Sequence, residues 1–119
     1  MVNKNGKTVS PTSETFQAGA ASADWKSQPG YGVILANQAG DMSWPITAST
    51  WVLLYKKPTD AALTGEALKF FAWSYSKGQD QAKALDYIPM PEKVVTDIES
   101  MWASEIKGSD GKSLYMMTH

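Results

Sequence analysis

Few of the side chains able to do chemistry are of the right kind. The sequence holds one His, His119, its last residue, and no Cys. A Ser-His-Asp relay or a histidine metal cluster would have to be built on that terminus, where chains fray. Without Cys there is no thiol nucleophile, zinc–thiolate site, iron–sulfur ligation or disulfide. All eleven basic side chains are Lys, so the planar guanidinium fork that grips carboxylate or phosphate bidentately is missing. The carboxylates Asp80, Asp86, Glu92, Asp97 and Glu99 form no acid–base pair. Asp97 and Glu99 stand two apart on a helix and do not face each other, so the set reads as solvated helix surface.

Three further groups of residues have a possible reading as ligand contacts. Gly30-Tyr31-Gly32 begins like a dinucleotide loop, but the fingerprint needs a third glycine where Leu35 stands. These glycines therefore read as ordinary loop residues. The run Thr47-Ala48-Ser49-Thr50 offers hydroxyls that could contact an oxyanion or equally satisfy backbone groups at a strand entry. Lys56-Lys57 reads as a solvated charge pair. Five Trp and five Tyr could suggest a sugar-binding surface, but Trp51, Trp73, Trp102 and Tyr75 fall on stripes that predict a core role. The residues thus point to no catalytic group, no metal ligand and no cofactor, and the chain is expected not to be an enzyme.

The elements that would carry these residues follow from pattern. Residues 2–9 read as a strand remnant or hairpin around the Asn5-Gly6 turn signal. Ser10-Pro11 predicts a helix start, with Ser10 as N-cap and Pro11 at the first position, running to about Ala23. Residues 24–31 and 37–45 read as loops on either side of a short strand or extended segment at 32–36. Residues 46–57 give the best strand pattern, rich in β-branched and aromatic residues. Trp51-Val52-Leu53-Leu54-Tyr55 is continuously apolar, which predicts burial on both faces, as in a parallel sheet covered by helices. Thr59 or Asp60 then caps a helix to about Lys77, with Leu63, Ala67, Phe70, Phe71 and Tyr75 in helical period and Gly78 as its stop. A short helix follows at 79–85. Pro91 opens the last helix, whose stripe is Val94, Val95, Ile98, Met101 and Trp102. The tail from Lys112 to His119 is expected to fray.

Length and charge bound the rest. The 119 residues suit one domain or part of one. A net charge of -1 gives no electrostatic footprint for nucleic acid or an anionic membrane. The N-terminus lacks the apolar stretch of a signal peptide, and the longest apolar run, 51–55, is far short of the ~20 residues that span a bilayer.

The order and spacing of several segments add a family resemblance. They are Gly6-Lys7-Thr8-Val9-Ser10-Pro11 with Ala23-Asp24-Trp25, Trp44-Pro45-Ile46-Thr47 leading into Thr50-Trp51-Val52-Leu53-Leu54-Tyr55-Lys56, Ala67-Leu68-Lys69-Phe70-Phe71-Ala72-Trp73, Gly78-Gln79-Asp80-Gln81-Ala82, and Leu85-Asp86-Tyr87-Ile88-Pro89-Met90-Pro91 with Val94-Val95. Together they resemble the C-terminal part of the periplasmic phosphate-binding (substrate-binding) proteins of bacterial phosphate ABC transporters. The resemblance implies an α/β fold, the C-terminal fragment of a type II periplasmic-binding-protein fold, with one main buried strand at about 46–57 and three to four helices. It implies that residues 1–45 end the second lobe, 46–50 cross between lobes and 51–119 complete the first lobe. It also implies inorganic phosphate as ligand, ABC-transporter permease subunits as partners, and a periplasmic or extracytoplasmic location. The family's phosphate contacts lie in segments upstream of those matched, so no residue here inherits a phosphate-binding role. The alternative reading is a non-catalytic assembly module. In it, the strand at 51–55 finds its neighbours in another copy, giving a swapped or sheet-extended homo-oligomer.

Overall fold

The computed structural model describes residues 1–116, and His119 with the last residues of the expected frayed tail lies outside them. In chain order the elements are α1 (Ser13–Ser22), a 3-10 turn (Pro29–Tyr31), α2 (Ala61–Lys77), α3 (Gln79–Ala84) and α4 (Glu92–Glu105). They belong to two compact units. The first comprises Met1–Trp51 and Ile88–Val94, and the second Val52–Tyr87 and the chain from Val95 onward.

The first unit is organised around α1 and polar loop contacts. The hairpin at the N-terminus is a single antiparallel bridge, Val2 to Thr8. Its turn is closed by the Gly6 N–H donating to the Asn3 carbonyl at 2.9 Å. Gly6 then adopts φ +75°, a left-handed conformation that glycine takes without steric cost. Helix α1 starts two residues later than the Ser10-Pro11 signal suggests. Thr12 is its N-cap, and Thr12 and Thr15 satisfy each other's backbone N–H groups in a capping box. Ser10 is instead engaged through its carbonyl, which accepts from Thr15 Oγ1 at 2.7 Å. Reciprocal capping satisfies two orphan donors where a lone Ser cap satisfies one. Ala20, Ala23, Trp25 and Leu35 are buried. Trp25 lies under α1, its indole N–H donating to the Ala20 carbonyl at 2.7 Å.

The second unit has one apolar cluster. Leu68, Trp102, Ile106 and Tyr115 are buried in it, with Leu54, Phe71, Ala72, Tyr75, Ile98, Met101 and Leu114 packed against them. Asp60 caps α2, accepting from the Leu63 N–H at 2.9 Å. Of the two residues that could have served, Asp60 is the one used. The helix stops at Gly78, but at φ -86°, because α3 begins there directly and no left-handed exit is needed. The last helix carries the expected stripe, with Val94 and Trp102 buried. After α4 the chain folds back. Lys107 bridges to Ser113, the Leu114 N–H donates to the Ile106 carbonyl at 3.0 Å, and Tyr115 meets Trp102 edge-on at 5.3 Å. Tyr115 is therefore part of the core with Leu114 packed against it, and residues 112–115 do not fray, because the Lys107–Ser113 bridge and the Tyr115–Trp102 contact hold them.

The strand expectations are corrected. Among the described residues there is no strand, only the two isolated bridges. The described chain is thus helical with long non-helical connections, in place of the α/β arrangement expected for it. Residues 46–57 do not form a buried strand. Apart from the Lys56 carbonyl, which accepts from Lys107 N–H at 2.9 Å, their main-chain groups make no backbone–backbone hydrogen bonds among the described residues. Leu54 packs on the core cluster, whereas Leu53 is 94% exposed and Tyr55 82%. A strand exists only through a ladder with neighbours, and none of the described residues supplies one. The 32–36 segment likewise joins no ladder among the described residues; Leu35 is buried and Ile34 exposed. Trp51 and Trp73 are not core residues; both are exposed.

Candidate functional site

The residues singled out from sequence do not converge. Gly30 and Tyr31 belong to the 3-10 turn and Gly32 ends it, with both Gly30 and Tyr31 at left-handed φ (62° and 61°). No α-helix follows it before α2, so it has no helix N-terminus at which to hold a pyrophosphate. In the hydroxyl run, Thr47 Oγ1 donates to the Trp44 carbonyl at 2.9 Å, which is the backbone-satisfying role. Ser49 Oγ is buried without a hydrogen-bond partner among the described residues, and Thr50 is exposed. Capture of a tetrahedral oxyanion needs several convergent donors. One hydroxyl supplies one. The helix N-termini of α1 and α2 are occupied by the chain's own caps, Thr12 and Asp60.

The charged candidates are equally dispersed. Asp80 pairs with Lys83 at 3.6 Å on the surface of α3. Asp86 lies just beyond α3 at φ 62°, its own N–H donating to the Lys83 carbonyl at 3.0 Å. Lys56 is not simply solvated but pairs with Glu105, while Lys57 is exposed. Among the described residues no group of three or more His, Asp or Glu side chains could hold a metal ion. No described helix is long and apolar enough to cross a membrane.

Two polar constellations went unread in the sequence. In the first unit, Asn3 is buried and its side-chain amide donates to the Gly40 and Asp41 carbonyls at 3.1 and 2.8 Å. Its Oδ1 accepts from the Asn5 and Lys7 N–H groups. Ser43, fully buried, donates to the Ala39 carbonyl at 2.7 Å. Gly40 sits at φ +123°, and a Cβ there would lie 2.7 Å from Ser43 Oγ. The Asn3 amide and Ser43 hydroxyl donate to backbone carbonyls, so the network pins the hairpin to the 37–45 loop.

The second constellation lies in the other unit, where Glu99 reaches the phenol of Tyr115. Burial, then the hydrogen bond to Glu99, then its negative charge push the Tyr115 hydroxyl up to about 12. Burial and the same carboxylate also raise Tyr75. The rings of Tyr75 and Trp102 stack at 6.0 Å. The arrangement fixes a neutral phenol inside a core. It has no second base or nucleophile, and its chemistry is structural. The visible hint was spacing: Glu99 stands three residues before Trp102, close to the apolar stripe of α4.

The residues singled out from the sequence assemble no site among the described residues, and comparison with known proteins gives the class. The chain is 45% identical over 113 residues to a phosphate-binding protein PstS of Pasteurella multocida, covering 95% of this chain and 33% of that protein. It is 46% identical over 105 residues to PstS of Haemophilus influenzae (88% and 31%) and 42% identical over 105 residues to PstS of Xylella fastidiosa (88% and 29%). No family model matches the chain. Over nearly all of its length the chain is homologous to a segment of PstS phosphate-binding proteins. It spans about a third of the length of the curated relatives it matches.

Proposed function

We propose that this chain is the C-terminal portion of a PstS-type phosphate-binding protein, whose whole captures inorganic phosphate outside the cytoplasm, or in the periplasm, and delivers it to the permease subunits of an ABC transporter. The observation that carries the reading is sequence identity above 40% over 88–95% of the chain to several such proteins. The role is binding and delivery, not catalysis. We assign residues 1–45 to the end of one lobe, 46–50 to the crossing between lobes and 51–119 to the completion of the other. The change of unit at Trp51 and Val52 supports a crossing near this point, although Ile88–Val94 return to the first unit. The phosphate contacts belong to the segments that this third does not include. No Arg is present, and the hydroxyls and helix termini described above are dispersed or already used.

The 119-residue chain alone is therefore expected to bind phosphate weakly or not at all. Titration calorimetry with inorganic phosphate should give no saturable heat with the isolated chain. A chimera carrying this chain in place of the matched third of the P. multocida relative should bind phosphate. Tight, saturable binding by the isolated chain would place the site within these residues and overturn the assignment of contacts upstream.

A further inference from the structure

The sequence holds three asparagines, Asn3, Asn5 and Asn37, and only Asn5 is followed by glycine. Asparagine is among the thermally labile residues. Its side-chain carbonyl carbon can close a succinimide ring with the next main-chain nitrogen, and a glycine there puts no Cβ in the way. The hairpin turn presents this pair to water. Asn5 and Gly6 are both exposed, and a Cβ built on Gly6 would meet nothing within 4 Å. Yet both reacting groups are held. Asn5 Nδ2 donates to Asp41 Oδ1 at 2.9 Å, and Asn5 Oδ1 accepts from the Gly40 N–H at 3.3 Å. The Gly6 N–H, whose nitrogen would attack, donates to the Asn3 carbonyl at 2.9 Å. The other asparagines are set differently. Asn3 is buried, with its amide engaged on the Gly40 and Asp41 carbonyls. Asn3 and Asn37 are followed by Lys4 and Gln38, whose side chains crowd the ring.

We propose that Asn5 is a spontaneous deamidation site, restrained by its contact with the 40–41 loop and unable to restore that contact once converted. The Gly6 nitrogen gives up its proton and bonds to Asn5 Cγ. The Cγ–Nδ2 bond breaks, and ammonia leaves with that proton. Water then opens the succinimide at either carbonyl. One opening gives aspartate, and the other gives isoaspartate, with the main chain rerouted through Cγ. The net change is NH2 for OH, with water consumed, ammonia released and nothing oxidised or reduced. Asp41 governs both the restraint and its loss. Its carboxylate accepts from the amide at present. After conversion it would face a second carboxylate, and like charges in contact repel. Isoaspartate also lengthens the main chain inside the turn that the Gly6 N–H closes. The tie of Asn5 to the loop is thus lost in one direction, while the Asn3 amide still holds Gly40 and Asp41.

The test is ageing of the 119-residue chain in mildly alkaline buffer, followed by chymotryptic mapping and mass spectrometry. The mass change of NH2 to OH should accumulate at Asn5 while Asn3 and Asn37 stay intact. Asp41→Ala removes the acceptor and should speed the conversion about fivefold, and urea should speed it further. Asp41→Asn keeps an acceptor in place without the charge, and its rate should fall between those of the wild type and Asp41→Ala. An Asp41→Ala chain that converts as fast as the chain in urea has lost its fold, and the comparison then passes to Asp41→Asn, which must still exceed the wild type. The product is tested separately. Asn5→Asp should lower the thermal midpoint by about 3 °C at neutral pH, and adding Asp41→Asn should recover most of that loss. An Asn5 that survives as long as Asn3 and Asn37 in every variant would overturn the site. Equal rates in the wild type, both Asp41 variants and urea would overturn the restraint. An unchanged midpoint in Asn5→Asp would overturn the lasting loss of the contact.

Discussion

Helix α2 presents Leu68, Phe71, Ala72 and Tyr75 to one side and Leu63, Phe70 and Trp73 to another, and only the first set is enclosed. Both sets are apolar and in helical period. They differ in what the chain can bring to them. The enclosed side meets α4 residues Ile98, Met101 and Trp102, together with Leu114 and Tyr115, all within the second unit. The bare side lies exposed. The same contrast recurs at 52–55, where Leu54 is packed and Leu53 lies in water. Hydrophobicity alone therefore does not mark a core. It marks surface that must be covered, and here the coverage stops part of the way round.

Mutations on the two sides of α2 should separate most widely. Leu68 is fully buried, so Leu68→Ala should cost about 3 kcal/mol by lost transfer energy and a cavity, read from denaturant unfolding of the isolated chain. Trp102→Ala, in the same cluster, should cost about 3–5 kcal/mol. Phe70→Ala and Trp73→Ala, at 59% and 51% exposure, should each cost less than about 1 kcal/mol. Comparable losses on the two sides would end the distinction between a closed and an open face.

A smaller effect concerns the phenol inside the closed face. The Tyr115 hydroxyl titrates near 12 in the fold, against an ordinary value of 10. Its folded value is raised, so the neutral form is the one the fold favours. The resulting stability is complete below pH 10 and is lost as the pH rises toward 12. Unfolding midpoints should fall across that window. Tyr115→Phe should flatten the fall while keeping the ring against Trp102, and Glu99→Gln should move the transition toward lower pH. An alkaline profile unchanged by Tyr115→Phe would assign the loss to other groups.

What was legible in the sequence depended on whether the cause was local. The Asp60 cap, the end of α2 at Gly78 and the apolar stripe of α4 are set by nearby residues, and all are present. Residues 46–57 were misread because a strand requires partners, and continuous apolar sequence reports the demand for burial rather than its fulfilment. The period through Leu63, Ala67 and Phe70 is real, but periodicity does not say which of two apolar sides is covered; Leu68, which anchors the core, sits off that line. The start of α1 slipped to Thr12 because a reciprocal cap at Thr15 outweighed the Ser10-Pro11 signal. Tyr115 was unreadable as a core residue, since its burial depends on a fold-back after α4. For the ligand site, the sequence carries no Arg and no positive signal beyond its kinship to the phosphate-binding proteins.

Amide hydrogen exchange tests the central claim, that this chain holds one closed and one open apolar surface, most directly. In the isolated chain, the amides of Val52–Tyr55 should exchange at nearly unprotected rates while those of Leu68–Tyr75 in α2 are protected. In the chimera with the P. multocida relative, both segments should be protected. Strong protection of Val52–Tyr55 in the isolated monomeric chain would contradict the account, because these residues would then already have partners within the chain itself.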